Sequence, residues 1–392
     1  MFRKNISYRD CPITINTIRA GVHLNVRKGF EALENRTIAT NHKMKNVKVK
    51  NGDSATTIKL EEMTAAEYAD DLRAYHGMHN NKLRDILYID TFRAAILDNA
   101  HLFKDKIVVD IRCGLGVLSM FSVLAGAKHV YAIENSNVTQ LAERIIRDNN
   151  LMDKITVIKG TVANIQLPVK KIDIIVSTFF GESLIIENGL DEVIEARDKW
   201  LASDGLIFPD RCTLYLAGLS DTFRRDRNNF WHNVYSFDME PMIGSILSEP
   251  YLHRIRPDQV VTTACPVMHL SLYNAKKNDY KHFDAYFRLE GLKKCFIGSF
   301  FTYFDVEFTD CHKPLKLCMK PDGFGKAWAP LVFNLNSRSQ FDIDDRGEIF
   351  GTFSMQAISD DFEKINWNIF VIHEVGRTGF REMWNYQTRR TH

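Results

Sequence analysis

The sequence predicts an α/β fold built on a doubly wound parallel sheet, and three observations support this. Ile107–Ile111 is a short apolar run rich in β-branched residues, typical of a parallel strand buried on both faces. A glycine loop and an apolar helix, Val117 to Gly126, follow it directly. A second apolar strand, His129 to Ile133, then ends at Glu134. Such a unit places a cofactor at the carboxyl ends of its strands.

The alternation of strands and helices continues to residue 208. Ile155–Lys159 and Ile172–Ser177 are predicted to be the next strands, and Leu190–Trp200 the next long helix. A final strand is predicted at Leu206–Phe208. This order of elements favours a Rossmann-like sheet with helices on both faces.

The glycine loop distinguishes two kinds of nucleotide-binding protein. A nicotinamide dehydrogenase normally needs G-x-G-x-x-G to hold a pyrophosphate, and Ser119 stands where the third glycine would be. A methyltransferase needs only close backbone approach to adenosine and methionine. Glu134, 20 residues beyond Gly114, can accept both hydroxyls of a ribose. We therefore expect a methyltransferase loop, with Asp110, Gly114, Gly116 and Glu134 binding the cofactor.

Composition limits the class of protein. The 392 residues are 45% hydrophobic and 26% charged, which is ordinary for a soluble protein with room for two domains. No run approaches the roughly 20 apolar residues of a membrane helix. The seven cysteines are scattered and include no CxxC pair, so neither a metal site nor a disulfide framework is indicated. We expect a cytoplasmic or nuclear protein, or one found in both compartments, without membrane partners.

Charge is unevenly distributed along the chain. Residues 1–60 carry twelve lysines and arginines against four acids, a net charge of +8, so the remainder of a chain of net charge +2 carries −6. We expect residues 1–60 to be a disordered basic extension, although such a tail could also contact RNA or an acidic surface. Nucleic-acid binding is not expected elsewhere. The acidic remainder suits basic partners, or simply maintains solubility.

From about residue 68 to the C terminus, the sequence resembles the type I protein arginine N-methyltransferases. The segments that carry the resemblance are Tyr75–His79, His101–Lys106, Leu118–Phe121, Ala196–Leu201, Asp204–Arg211, Asn233–Met239 and Gly347–Thr352. The resemblance implies S-adenosylmethionine as cofactor in a domain of residues 61–209, and a β-barrel domain of residues 210–392. It also implies a helical dimerisation arm near residues 221–247, and hence a homodimer or a heterodimer with an active relative.

The resemblance further implies which residues meet the substrate, an arginine exposed on a protein. A guanidinium is a planar, permanently charged fork that paired carboxylates can hold. Glu187 stands at the position of the second such acid, whereas Thr178 stands at the first. Gly181 belongs to the same loop, and Trp328 to a loop facing it. Asp85 matches a residue that pairs with a histidine in the family.

Several other positions depart from the family pattern. At each of these positions the resemblance implies one residue and this sequence has another. Tyr88 replaces an arginine that binds the cofactor carboxylate, Arg112 replaces the first glycine of the loop, and Ala163 replaces a glutamate near the adenine. Gly189 replaces a methionine, Ala327 replaces a histidine, and Ala69, Asp70 and Arg73 replace an aromatic pair and a tyrosine. Three directions are open for Arg112. It meets the cofactor carboxylate, reaches toward Glu187 in the substrate site, or points away.

Two functions follow from these observations. The first is a protein arginine N-methyltransferase that methylates histone or Arg/Gly-rich proteins with weak activity. The second is a catalytically inactive member that acts as a dimerisation or regulatory partner. Glu182 is not expected to replace the missing acid, because the resemblance implies a residue that is not acidic at its position.

Overall fold

The computed structural model describes residues 75–186, 189–321, 328–335, 341–358, 364–375 and 378–389. The predicted basic extension, residues 1–60, lies outside them. The positions outside the described residues that the sequence singled out are Ala69, Asp70, Arg73, Glu187 and Ala327. The described residues belong to one compact unit within Leu60–His392.

Helices and parallel strands alternate through the first part of this unit. In chain order they are α1 His76–Arg84, α2 Ile86–Leu97, α3 Ala100–Phe103, β1 Ile107–Ile111, α4 Val117–Leu124, β2 His129–Glu134, α5 Thr139–Asp148, β3 Ile155–Lys159, β4 Ile172–Ser177, α6 Leu190–Trp200 and β5 Leu201–Phe208. The strands are all parallel and lie in the order β3-β2-β1-β4-β5. The predicted doubly wound sheet is confirmed, and its strand order reverses between β1 and β4.

Two elements differ from the sequence prediction in extent. Helix α4 ends at Leu124 instead of Gly126, because Gly126 has a φ of 96°, a left-handed conformation that ends a helix. Strand β5 begins at Leu201 instead of Leu206, and its pairing with β4 shifts register between Ile172 and Ile174. Because the first half of β5 pairs irregularly with β4, its sequence has no regular apolar alternation from which a strand could be predicted.

Antiparallel sheets form the second part, as the resemblance implied. In chain order its strands are β6 Arg211–Ser220, β7 Tyr251–Leu252, β8 Cys265–Ser271, β9 His282–Glu290, β10 Cys295–Phe308, β11 Leu315–Cys318, β12 Leu331–Asn334, β13 Phe341–Ile343, β14 Glu348–Ala357, β15 Lys364–Val375 and β16 Thr378–Arg389. One sheet runs β7-β12-β10-β6-β8, with β11 and β13 also paired to β10, and the other runs β16-β15-β14-β9. Together they make a barrel-like domain.

A helical insertion separates β6 from β7. It consists of α7 Asp221–Asn229, a 3₁₀ turn at Phe230–His232 and α8 Pro241–Ser248. The position agrees with the arm that the resemblance implied near residues 221–247. Neither these helices nor any other in the described part of the chain combines the length and the apolar character needed to cross a membrane.

Buried aromatic rings join the parallel sheet to the antiparallel one. Phe92 of α2 lies edge-on to Phe308 of β10, with 5.1 Å between ring centroids. The ring centroid of Phe208, at the end of β5, lies 6.2 Å from that of Phe308. The ring centroid of Phe180, which follows β4, lies 5.5 Å from that of Phe304 on β10. All five are essentially inaccessible to solvent, so the two sheets share one apolar core.

Gly351 provides a test of this packing. A Cβ atom at Gly351 would overlap the carbonyl oxygen of Phe370 on β15 and lie 2.5 Å from Cζ of Phe287. We predict that Gly351→Ala lowers the free energy of unfolding by about 2–3 kcal/mol, measured by urea denaturation, because the backbone must move. At Gly244 in α8 an added Cβ meets nothing within 4 Å. The control Gly244→Ala should raise stability by about 0.5–1 kcal/mol. Equal effects of the two substitutions would contradict the described packing.

Candidate functional site

A cavity of about 330 Å³ opens beside the carboxyl ends of β1, β2 and β4. The glycine loop after β1 forms one wall, and Glu134 at the end of β2 forms another. The loop from Thr178 to Glu182 and the indole of Trp328 complete it. The cavity therefore brings several predicted cofactor residues (Tyr88, Arg112, Gly114 and Glu134) together with the predicted substrate residues Thr178, Gly181 and Trp328 at the switch point of the sheet.

Gly114 lies in the wall of the cavity, where there is little space for a side chain. Gly114 has a φ of 55°, and a Cβ there would lie 3.0 Å from Cε1 of His79 on α1. Gly116, with a φ of 79°, caps the start of α4 and lies against Ile146. Both the backbone conformation and the limited space therefore require glycine at these two predicted positions.

Glu134 is held rigidly at the cavity. Its side chain is buried, and its Oε2 accepts a hydrogen bond of 3.0 Å from the backbone N–H of Gly114. Its Oε1 accepts one of 2.9 Å from the N–H of Ser136. A carboxylate oxygen accepts more than one hydrogen bond, so both oxygens retain capacity for the hydroxyls of a ribose.

Asp110 and Ala163 do not line the cavity. Asp110 is fully buried, and its Oδ2 accepts a 2.6 Å hydrogen bond from the hydroxyl of Ser119. It thereby ties β1 to α4 beneath the glycine loop. Ala163 is exposed, and its carbonyl accepts a hydrogen bond from Nζ of Lys199. Among the described residues, neither side chain is placed to touch a molecule in the cavity.

Tyr88 and Thr178 form a hydrogen-bonded pair in the wall of the cavity. The Tyr88 hydroxyl lies 2.7 Å from Oγ1 of Thr178, and the tyrosine ring packs edge-on against Trp328 and Phe92. Burial raises the pKa of Tyr88 well above its usual value, so the phenol remains neutral. The resemblance implies an arginine and a glutamate at these two positions; in this chain a neutral hydrogen bond joins the residues present.

Asp85 lies at the start of the helix that carries Tyr88. It is the N-cap residue of α2, and its Oδ1 accepts a 3.1 Å hydrogen bond from the backbone N–H of Tyr88. The carboxylate is buried. Asp85 therefore fixes the helix turn that carries Tyr88. The histidine partner that the resemblance implies for Asp85 falls at position 327, which is an alanine in this sequence and lies outside the described residues.

Arg112 crosses from the glycine loop to α6. Its Nε lies 2.8 Å from Oε1 of Glu192, in the first turn of that helix. A Cβ on Gly189 would lie 3.0 Å from both Cδ and Nε of Arg112. Only a residue without a side chain at 189 therefore leaves this path open. The described partner of Arg112 is Glu192 on α6, and Glu187 lies outside the described residues, so a contact of Arg112 with Glu187 or with a cofactor carboxylate stays a prediction.

Two further charged residues lie at the cavity, of which the sequence singled out only Glu182. Lys82 of α1 lines it, with Nζ 5.6 Å from the centroid of the Trp328 ring, within range of a cation–π interaction. No feature of the sequence marks Lys82. Glu182 also lines the cavity, and its Oε2 accepts a 2.8 Å hydrogen bond from the backbone N–H of Ala329. The sequence places Glu182 in this loop beside Gly181 and does not predict a catalytic role for it.

Asp110 makes stability depend on pH. Burial, with a smaller contribution from the nearby Glu134 charge, raises the pKa of its carboxyl to about 7, against the lowering effect of the hydrogen bond from Ser119. The folded state therefore holds this proton more tightly than the unfolded chain does. We predict that the free energy of unfolding falls by on the order of 2–4 kcal/mol as pH rises from about 4 to about 7, and that Asp110 contributes no further loss above that range.

Asp110→Asn should remove this decline, because the amide stays neutral at every pH. Urea denaturation at about pH 5 and about pH 7.5 measures the difference. The exposed Asp153→Asn serves as the control and should keep the slope of the parent. The assignment is wrong if the parent and Asp110→Asn lose stability equally over this range.

The sequence matches two known families in consecutive segments. Residues 94–207 match ribosomal protein L11 methyltransferase. Residues 210–369 match the arginine methyltransferase oligomerization subdomain. The first segment contains the parallel sheet and the glycine loop, and the second contains the helical insertion and most of the antiparallel strands.

Curated relatives match over both segments. Protein arginine N-methyltransferase 8-B of Danio rerio is 41% identical over 72% of this chain and 68% of its own length. Protein arginine N-methyltransferase 1 of Chlamydomonas reinhardtii is 41% identical over 72% of this chain and 82% of its own. The same enzyme of Schizosaccharomyces pombe is 40% identical over 69% of this chain and 80% of its own.

Solved structures share the fold. The Trypanosoma brucei PRMT1 enzyme-prozyme heterotetrameric complex with AdoHcy is similar with a TM-score of 0.76 and 28% identity, over 81% of this chain and 100% of that one. Arabidopsis thaliana protein arginine methyltransferase 10 gives a TM-score of 0.71 at 22% identity, over 81% and 99%. With these relatives and this architecture, the chain belongs to the protein arginine N-methyltransferase family.

Proposed function

We propose that this chain transfers methyl groups from S-adenosylmethionine to arginine side chains of proteins, with histones or Arg/Gly-rich proteins as substrates, and with weak activity. The observation that carries the proposal is the single cavity. It joins the glycine loop and Glu134, suited to a nucleoside, to the loop at Thr178–Glu182 and to Trp328, suited to a side chain. Methyl transfer requires this proximity of donor and acceptor.

The residues present fit the nucleoside part of the cofactor. The buried Glu134 carboxylate offers acceptors for the ribose hydroxyls, and Gly114 allows the backbone to approach. When bound, S-adenosylmethionine supplies an electrophilic methyl group on a sulfonium. Tyr88 stands where the family binds the cofactor carboxylate, and its hydroxyl is shared with Thr178. This end of the cofactor is therefore held less firmly, which supports a lowered affinity.

The substrate side retains part of its acidic character. Glu182 presents a carboxylate at the cavity, oriented by the N–H of Ala329. Glu187, outside the described residues, is the proposed acid that holds the guanidinium. Thr178 is neutral, so one of the two paired carboxylates is absent. Loss of one electrostatic group of this kind typically lowers the rate on the order of 10²–10³-fold, which supports weak activity.

Cofactor titration and label transfer test this function. Calorimetry should show S-adenosylmethionine binding, and Glu134→Gln should weaken it about 10- to 150-fold, because a charge-assisted hydrogen bond contributes about 1.5–3 kcal/mol. Label should pass to an Arg/Gly-rich peptide, and Glu187→Gln should abolish the transfer. Glu143→Gln on α5, outside the cavity, is the matched control and should change neither. Absence of cofactor binding at millimolar concentration would sink the proposal.

A second function has support of its own. Two cavity residues at substituted positions already have partners in the fold, Tyr88 with Thr178 and Arg112 with Glu192. Side chains engaged in this way are less free to bind a cofactor or a substrate, which suits a chain that instead regulates an active relative. The Trypanosoma brucei neighbour is described as an enzyme-prozyme complex. We propose that this chain forms a homodimer, or a heterodimer with such a relative, through the arm.

The arm carries the surface for that association. Phe230, Tyr235 and Phe237 in and around the turn between α7 and α8 are 58%, 92% and 70% exposed. Exposed aromatic residues clustered on one short insertion are typical of protein interfaces. The segment also falls within the matched oligomerization subdomain. These features support a subunit contact at the arm.

Substitution on the arm tests the partner function. We predict that Tyr235→Ser with Phe237→Ser weakens association at least about tenfold, since buried aromatic anchors dominate interface energies. Association with itself and with an active relative is measured by analytical ultracentrifugation, and the rate of that relative is measured with and without this chain. Tyr286→Ser on β9, 89% exposed and outside the arm, is the control. The regulatory role fails if no association occurs and the rate of the relative is unchanged.

A further inference from the structure

The loop that follows β4 contains a tight turn with an unfavourable backbone, residues 181–184. The N–H of Leu184 donates a 3.1 Å hydrogen bond to the carbonyl of Gly181, and the N–H of Gly181 donates one of 3.2 Å to the carbonyl of Leu184. Ser183 and Leu184 have φ values of 48° and 72°, in the left-handed region that side chains disfavour. A turn with a positive φ at its third residue usually has glycine or asparagine there. The serine at this position therefore calls for a stabilising contact.

A side-chain hydrogen bond ties the 181–184 turn to the antiparallel domain. The hydroxyl of Ser183 lies 2.6 Å from Oγ1 of Thr302 on β10, and both side chains are fully buried. Around Thr302, β10 is paired with β6 on one side and with β12 on the other. Thr302 is thus held by a central strand, and the bond connects the turn to that strand.

The same turn brings a carboxylate to the cavity. Glu182, the second residue of the turn, lines the cavity, and its Oε2 accepts a 2.8 Å hydrogen bond from the N–H of Ala329. Its backbone carbonyl accepts a 3.0 Å hydrogen bond from the N–H of Ile186. Glu182 and Ser183 share one rigid peptide plane. A change of backbone conformation at Ser183 would therefore redirect Glu182.

We infer that Ser183 and Thr302 are positioning residues, whose hydrogen bond holds the 181–184 turn in its left-handed conformation and directs the Glu182 carboxylate to a cationic side chain in the cavity. The inference rests on the proposed function, because that function names the cation, an arginine guanidinium of a protein. In the described part of the chain, neither hydroxyl lines the cavity, so the pair acts through the turn.

Two double variants test the inference. Ser183→Ala with Thr302→Val removes both hydroxyls together, so neither is left buried without a partner. The turn then keeps its unfavourable conformation without the tie. We expect amide hydrogen exchange in residues 178–186 to become at least about tenfold faster. Binding of an Arg/Gly-rich peptide should weaken about tenfold, as for a misdirected charge-assisted contact.

Ser183→Gly with Thr302→Val removes the same hydrogen bond but places glycine in the left-handed conformation, which glycine adopts readily. This variant should stay within about threefold of the parent in exchange and in peptide affinity. A role in packing alone predicts the opposite order, because glycine leaves more empty space than alanine. The order of the two variants therefore separates positioning from packing.

Two single variants are controls. Thr302→Ser retains a hydroxyl and should retain the exchange rate and the peptide affinity of the parent. Ser299, also buried on β10, lies 3.0 Å from Oδ1 of Asn334 through its hydroxyl. Ser299→Ala should lower the midpoint of thermal unfolding by about 2–6 °C and leave exchange in residues 178–186 unchanged. S-adenosylmethionine binding, measured by calorimetry, should change by less than about twofold in every variant, because Glu134 and Gly114 lie on other loops.

The outcomes separate the inference from the proposed function. Unchanged exchange in the alanine variant, or faster exchange in the glycine variant than in the alanine variant, overturns the inference even where methyl transfer persists. Faster exchange in the alanine variant with full peptide affinity also overturns it. If the parent binds no peptide, the proposed function fails, and the exchange rates alone decide whether the hydrogen bond holds the turn. Thermal unfolding establishes folding, and Thr302→Val compared with Thr302→Ser carries the test if the alanine variant does not fold.

Discussion

The apolar joint between the parallel and antiparallel sheets is the constraint on which the rest of the structure depends. Phe92 and Phe308 meet edge-on across it, and Phe180 joins the same cluster from the loop after β4. The ring centroids of Phe180 and Trp328 are also 4.8 Å apart. Because one aromatic cluster packs both sheets and backs the cavity, the positions of the cavity walls follow from core packing. The functional loop cannot shift without disturbing the core.

Within that frame, the substituted residues of the cavity occur in contacting pairs. Tyr88 satisfies Thr178 with a neutral hydrogen bond, and Arg112 fits over Gly189 and pairs with Glu192. A buried carboxylate or arginine without a partner costs several kcal/mol, and pairing offsets part of this cost. The residues present at these positions are therefore compatible with one another in the fold. Replacing only Tyr88 would remove the hydrogen-bond partner of Thr178. Replacing only Arg112 would remove the ion-pair partner of Glu192.

The sequence predicted the parallel sheet well because its information is local. Apolar runs such as Ile107–Ile111 and the spacing from Gly114 to Glu134 require only neighbouring residues. The partner of Tyr88 lies 90 residues away and that of Arg112 lies 80 away, and no local pattern specifies either contact. The antiparallel domain was predicted from resemblance alone. Irregular pairing at the start of β5 likewise left no periodic pattern to recognise.

The residues at the cavity affect function through their charge. A guanidinium and a sulfonium both need a negative environment, and the family arrangement supplies it through paired acids. Among the described acids at the cavity, Glu134 accepts hydrogen bonds from two backbone amides and keeps capacity for a ribose, and Glu182 accepts one from Ala329. Arg112, which is ion-paired with Glu192, lines the same cavity. Thr178 is neutral at the position where the resemblance implies the first of the paired acids, so the described part of the cavity retains the features for a nucleoside more fully than those for a guanidinium.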